Sequence, residues 1–263
     1  MWPVILKLGP LTIYSYGTMM AIAFLVGGWL TGREMDRRGM NGEVASSIVF
    51  WAAVGGIVGS KLWAVLEDWR GLLHDPIAMI FSGSGFVWYG GLVGGTAAVS
   101  WTIYKHGLPW RAVVDCAAAP LALAHGIGRI GCELSGDGDW GTVTTVPWGR
   151  AYPNAIIGWP HPPGVFVHPT PLYEMLAYSA IFALLWSVRK RPHPDGQLFW
   201  WYLVLGPSAR FVIEFWRVNP PLALGFSSAQ WFSLLLVTIG VWRLLATRGN
   251  APAVYPAAQP ARR

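Results

Sequence analysis

Apolar residues along this chain come in long, nearly unbroken runs rather than in the stripe of a surface helix. Seven runs, at approximately 15–32, 44–66, 86–104, 112–130, 172–188, 197–216 and 229–246, approach or reach the roughly 20 residues that a bilayer core demands of a helix. The pattern predicts an all-α, polytopic integral membrane protein with about seven transmembrane helices, occupying residues 1–250. Small residues recur inside the runs, as in Gly55-Gly56 with Gly59-Ser60 and Gly90-Gly91 with Gly94-Gly95. Such spacing lets helix backbones approach closely in lipid, so packing is the plain reading of most of these glycines. The Ala- and Pro-rich residues 251–263 read as a disordered cytoplasmic tail.

Composition agrees with that reading. Of 263 residues 54% are hydrophobic and 12% charged, against about 25% charged in an ordinary soluble domain. The mean hydropathy is +0.41. The 17 Trp fit a chain with much membrane–water interface. A formal charge of +6 would suit nucleic acid only if it formed one contiguous basic stripe, and here it is scattered in short clusters between apolar runs. The sequence therefore excludes nucleic acid as a partner. Cys116 and Cys132, 16 residues apart on what would be one helix, stand roughly 24 Å from each other and cannot bridge. Residues 1–14 lack a basic n-region, and no small-residue cleavage site follows the first run, which reads as a retained span rather than a signal peptide.

The basic clusters also record orientation. Arg33, Arg37 and Arg38 follow the first run, Lys105 and Arg111 the third, and Arg189, Lys190 and Arg191 the fifth. Arg243, Arg248, Arg262 and Arg263 end the chain, while the intervening connections hold only Arg70, Arg150 and Arg217. By the positive-inside rule the N-terminus is outside and the C-terminus cytoplasmic. One outer connection, 131–171, is long enough to expect a functional loop.

Ionisable residues inside apolar runs carry the chemistry, because a charge near the bilayer centre costs at least about 2.5–3.5 kcal/mol. Lys61 lies near an outer end, and snorkelling explains it. Arg129 ends the fourth run in His125-Gly126-Ile127-Gly128-Arg129-Ile130-Gly131-Cys132. Arg210 and Glu214, four apart, share one helix face, and Arg217 continues it one turn later. A structural ion pair would account for Arg210 and Glu214 alone. Two arginines from different runs at the outer level point further, to a lipid phosphate gripped by planar guanidiniums. Asp137 and Asp139 alternate with glycine just beyond Arg129, without the twelve-residue cage of a calcium loop, so a base or head-group contact is the better reading than a metal. His125 reads as a packed polar residue. His161 and His168 lack zinc spacing, and Ser208 lacks the surroundings of a serine nucleophile.

Taken together, Tyr89-Gly90-Gly91, Gly128-Arg129-Ile130-Gly131, the Asp137-to-Gly141 segment, His168-Pro169-Thr170-Pro171-Leu172-Tyr173-Glu174 and Arg210-Phe211-Val212-Ile213-Glu214-Phe215-Trp216-Arg217 resemble the prolipoprotein diacylglyceryl transferase family. The order and approximate spacing match from about residue 10 to about 246. The resemblance implies a seven-span enzyme of the bacterial inner membrane. It moves the diacylglyceryl group of phosphatidylglycerol to the lipobox cysteine thiol of a preprolipoprotein, releasing glycerol 1-phosphate. No cofactor is implied, and the partners are phosphatidylglycerol, the preprolipoprotein signal peptide and membrane lipids. Carried over by position, Arg129 and Arg210 hold the phosphate, and Glu214 orients Arg210 or binds the head group. Tyr173 and Glu174 help build the cavity, with Gly90 and Gly91 lining it, and Tyr89, Asp137 or Asp139 supplies the base.

Four positions depart from the family pattern. Tyr89 stands where many members have His, and Cys132 where Asn is frequent. Asp137 and Asp139 replace a Glu, and Gly206 replaces a Tyr. These departures leave room for a paralogue with another acceptor. A small transporter is the rival from a different class, although its ionisable groups would be spread along several spans rather than gathered near one level.

Overall fold

The computed structural model describes residues 1–69, 75 and 87–253. Arg70, the start of the third predicted run at residue 86, and Arg262 and Arg263 of the tail lie outside the described residues. Seven α-helices are found among those described: α1 (Ser15–Arg37), α2 (Val44–Glu67), α3 (Trp88–Lys105), α4 (Trp110–Ser135), α5 (Thr170–Val188), α6 (Gln197–Ile213) and α7 (Ser228–Ala246). Each overlaps one of the seven apolar runs. Four of them, α2, α4, α5 and α7, are both long and apolar enough to cross a bilayer. The chain is a helical membrane protein. α1, the Gly- and Trp-rich α3 and the 17-residue α6 fall short of those combined limits.

The fold is not purely helical. Residues 1–14 contain an antiparallel hairpin, β1 (Val4–Leu8) with β2 (Leu11–Tyr14), turning at Gly9 and Pro10, where Gly9 takes φ +58°. Branched residues around a Gly-led two-residue turn favour a hairpin over an extra helical turn. A second small hairpin joins β3 (Pro221–Ala223) and β4 (Phe226–Ser227) just before α7, which opens on a Ser227–Gln230 capping box.

The chain divides into two compact units. One comprises residues 1–27 and 114–254, the other residues 28–113. In the second unit α2 and α3 pack backbone to backbone. A Cβ on Gly59 would lie 2.9 Å from Gly94 Cα and overlap the carbonyl of Gly90, and one on Gly55 would lie 2.6 Å from Ala98 Cβ. The small-residue pattern is used as helix-contact surface.

In the first unit the core lies among α4, α5 and α6. It is built from Ala118, Ala119, Ala122, Tyr178, Ile181, Leu185 and Leu198. The buried Asp115 carboxylate of α4 accepts from the amides of Gly196 (2.9 Å) and Phe199 (3.0 Å), satisfying orphan donors at the start of α6. Cys116 and Cys132 are both buried on α4 and form no disulfide among the described residues.

Helix boundaries matter for the site. The fourth apolar run ends near residue 130, but α4 continues to Ser135 and stops at Gly136, whose φ of +62° and amide bond to Cys132 O end the helix. Gly131 is helical and backs onto α1, where a Cβ would come 3.1 Å from Met19 Cβ and 3.3 Å from Tyr16 Cα. The expected helical face through Arg210, Glu214 and Arg217 is also modified. α6 ends at Ile213, Glu214–Trp216 form a 3-10 turn, and Arg217 is extended with ψ 158°.

Candidate active site

Five segments of the first unit bring charge together. α4 supplies His125 and Arg129, the following loop Asp139, α5 Glu174, the last turn of α6 Arg210, and the 3-10 turn beyond it Glu214 with Arg217 just after. Glu174 is fully buried and central. Its Oε2 accepts from Arg129 Nε at 2.8 Å, with His125 Nε2 3.4 Å away. Its Oε1 faces Arg217 Nη1 at 3.6 Å and Arg210 Nη1 at 3.7 Å. Glu214 takes the Arg210 guanidinium four residues back and lies 3.5 Å from Arg217 Nε. The hydroxyl of Ser227 and the amide of Asn219 each donate to Glu214 Oε1 at 2.6 Å. Asp139 is clasped from two sides, accepting from Arg129 Nη1 on one oxygen and from Arg217 Nη2 on the other.

The loop that carries Asp139 is fixed by backbone bonds. Gly141 N donates to His168 O (2.8 Å) and Thr142 N to Trp216 O (2.7 Å). Gly141 has to be glycine for this approach, since a Cβ would overlap the carbonyl of Trp216. A cluster of Trp140, Tyr152 and Val167 packs beneath the loop. The buried Glu133 accepts from Tyr152 Oη and Arg150 Nη1, both at 2.9 Å, which ties the loop back to α4.

The electrostatics of the two loop aspartates diverge. Burial pushes Asp137 above the ordinary carboxylate range against a hydrogen bond from Cys132, and the neighbouring Asp139 charge adds to the rise. Burial also penalises Asp139, but the charge and hydrogen bond of Arg217, with Arg129, outweigh it and hold Asp139 below that range. Cys132 Sγ lies 3.7 Å from Arg129 Nη1. Ligand-type atoms of Cys132, Asp137 and Asp139 lie within 4.8 Å of one another. A cation there would have to displace guanidiniums from both Asp139 oxygens.

Of the residues singled out from sequence, Arg129, Arg210, Glu214, Glu174 and Asp139 come together, with Asp137 beside them. Tyr173, one residue from Glu174, points elsewhere: its hydroxyl accepts from Trp148 Nε1 at 2.7 Å and lies 3.0 Å from His168 Nδ1. Tyr89 lies in the first turn of α3 in the other unit, where Gly90 and Gly91 abut Gly59 and Ser60 of α2. Gly206 leaves room for Tyr178, whose hydroxyl donates to its carbonyl at 3.3 Å and whose ring stacks on His125 at 3.7 Å. Arg217, part of the Arg210-to-Arg217 motif, joins the site although the sequence alone gives it no separate role. His125, whose sequence context suggests packing, also reaches Glu174, and nothing in the sequence marks Tyr16, which lies in electrostatic reach of Arg129, Cys132 and Asp137.

A family model for prolipoprotein diacylglyceryl transferase matches residues 3–246, which includes every member of this cluster. The chain belongs to that family. Among its relatives is the phosphatidylglycerol–prolipoprotein diacylglyceryl transferase of Clostridium tetani, 31% identical over 244 residues and covering 92% of this chain and 96% of that protein. The protein of the same name from Chromohalobacter salexigens is 33% identical over 263 residues, covering 98% and 93%. That of Legionella pneumophila is 31% identical over 259 residues, covering 94% and 97%. The likeness runs through the whole membrane body, so this family member is a bacterial membrane protein.

Proposed function

We propose that this chain transfers the diacylglyceryl group of phosphatidylglycerol to the lipobox cysteine thiol of a preprolipoprotein, releasing glycerol 1-phosphate. The observation that carries this reading is the meeting of three guanidiniums, Arg129, Arg210 and Arg217, around one buried carboxylate, Glu174. In the reaction the cysteine sulfur forms a bond to the glycerol carbon of the lipid as that carbon's bond to the phosphate oxygen breaks. The bonding electrons leave on the phosphate, and the thiol proton passes to a base. Phosphate charge therefore grows in the transition state, and preorganised guanidiniums stabilise it most where water is scarce. Arg129 and Arg210 hold the phosphate, Glu214 orients Arg210, and Asp139 or Asp137 receives the proton. Glu174 sets the arginines, and Tyr173 supports the wall through Trp148 and His168. Tyr89 with Gly90-Gly91, given to the same chemistry by the family resemblance, is carried in the other unit. The bonds made and broken supply their own electrons, so the reaction needs no cofactor.

In this reading all seven helices span the bacterial inner membrane, with the N-terminus outside and the C-terminus cytoplasmic. The Arg and Lys clusters at the ends of α1, α3, α5 and α7 support that orientation. Reporter fusions after residues 70, 160 and 225 should report outside, and those after 38, 108 and 192 inside. A reversed pair breaks the arrangement.

The activity itself is tested with purified protein, phosphatidylglycerol and a lipobox peptide. Mass spectrometry should detect a diacylglyceryl adduct on the peptide cysteine. A folded protein that yields none, with peptides of several lipobox sequences, would refute the assignment.

A further inference from the structure

The three carboxylates of the cluster are held very differently. Glu174 sits on α5 and Glu214 at the end of α6, with side chains 0% and 2% exposed. Asp139 is in a loop and is 28% exposed. It bridges two guanidiniums from distant segments, offering one oxygen to Arg129 and the other to Arg217. One anion shared between two planar forks, at the accessible side of the cluster, is the arrangement a phosphate group takes. Two buried atoms beside it, Arg217 Nε and Glu174 Oε1, have no hydrogen bond. They lie 3.5 Å and 3.6–3.7 Å from opposite charges, as ion pairs without a directed hydrogen bond.

We propose that Asp139 and the lipid phosphate compete for one place between Arg129 and Arg217, and that Arg217 is a phosphate ligand alongside Arg129. This rests on the diacylglyceryl-transfer reading above. When the phosphodiester enters, its two non-bridging oxygens take the donors that Asp139 gives up, and the Asp139 carboxylate turns away about its own side-chain bonds. The backbone stays in place, because Asp139 O accepts from Arg217 Nη1 (3.0 Å) and Thr170 Oγ1, and Asp139 N donates to Asp137 Oδ1 (3.3 Å). The exchange conserves charge, since a diester anion and an aspartate each carry one negative charge. The product, a phosphate monoester, gains a second, and the returning Asp139 competes with it for the same two arginines. Asp139 thus limits how tightly the product is kept.

The test uses the full chain in nanodiscs, with glycerol 1-phosphate as soluble probe and phosphatidylglycerol as lipid. Asp139→Asn removes the competing anion while keeping size. Its dissociation constant for glycerol 1-phosphate and its KM for phosphatidylglycerol should both fall by about threefold or more. Arg217→Lys loses the planar fork, and both quantities should rise by at least about tenfold. If Asp139 were only a strut for the arginines, its Asn variant would bind the probe more weakly, and that result overturns the proposal. An unchanged Arg217→Lys variant overturns it as well, as does a response to inorganic phosphate with none to glycerol 1-phosphate. Should Asp139→Asn fail to fold, Arg217→Lys in folded protein decides alone. Probe binding needs no acceptor peptide, so a wild-type protein without transfer activity would sink the function above and still leave this titration readable.

Discussion

Replacing Glu174 with Gln tests the charge arrangement at its centre. Arg129, Arg210 and Arg217 are balanced by Asp139, Glu174 and Glu214, and the substitution leaves one positive charge uncompensated. A glutamine oxygen still accepts from Arg129 Nε. Its amide nitrogen, however, would then face Arg210 and Arg217, donor against donor, at distances near the present 3.6–3.7 Å. Breaking a buried ion pair costs roughly 3–5 kcal/mol. The arginines are 18%, 18% and 9% exposed, so water screens part of the loss and the lower figure, about 3 kcal/mol, applies. At roughly 2–4 °C per kcal/mol for a chain of this size, the unfolding midpoint should fall by about 6–12 °C. Mispositioned guanidiniums should also lower kcat by about a hundredfold, the scale of one lost charge-stabilising donor. Tryptophan fluorescence on heating and the peptide-adduct assay read the two effects. A Gln variant that melts within about 1 °C of wild type and transfers at the same rate would show that the buried charge is not what organises the arginines.

Arg129→Lys and Arg210→Lys should each lower kcat and kcat/KM together, because a point charge replaces a bidentate grip as the phosphate charge grows; a rise confined to KM would assign them to ground-state binding only. Glu214→Gln combined with Arg210→Lys should cost less than the sum of the single changes by about 0.5–3 kcal/mol, and strict additivity would deny that Glu214 acts through Arg210. The folded pKa of Asp139 is depressed, so its contribution is present above the ordinary value near about 4 and is lost only as pH falls through the folded value; melting that weakens between neutral pH and about 5 would contradict this. Asp137 is raised, so its ionisation destabilises the fold as pH rises above about 4. Asp137→Asn should then melt higher than wild type at neutral pH and show no difference in acid, whereas stabilisation by calcium, reversed by a chelator, would show instead that Asp137 and Asp139 bind metal.

Helix positions were legible in the sequence because lipid imposes a length and an apolarity that few other environments demand. Basic clusters at run ends are the ground for the orientation proposed above. Arg129, Arg210 and Glu214 stood out because charge inside an apolar run is costly and needs a partner, and the i, i+4 spacing named one such partner locally. The motif blocks brought Glu174 and Asp139 into view by resemblance, without saying what either touches. Tertiary structure decided the rest. It turned Glu174 into the arginines and its neighbour Tyr173 toward Trp148, a choice set by helix rotation and by what packs on either side. It also brought Arg217 back to Asp139 from 78 positions away, through a 3-10 turn and the backbone bonds of Gly141 and Thr142. A sequence shows where a buried charge must find a counter-charge. Which residue supplies it depends on how segments far apart in the chain pack against one another, and local spacing does not encode that.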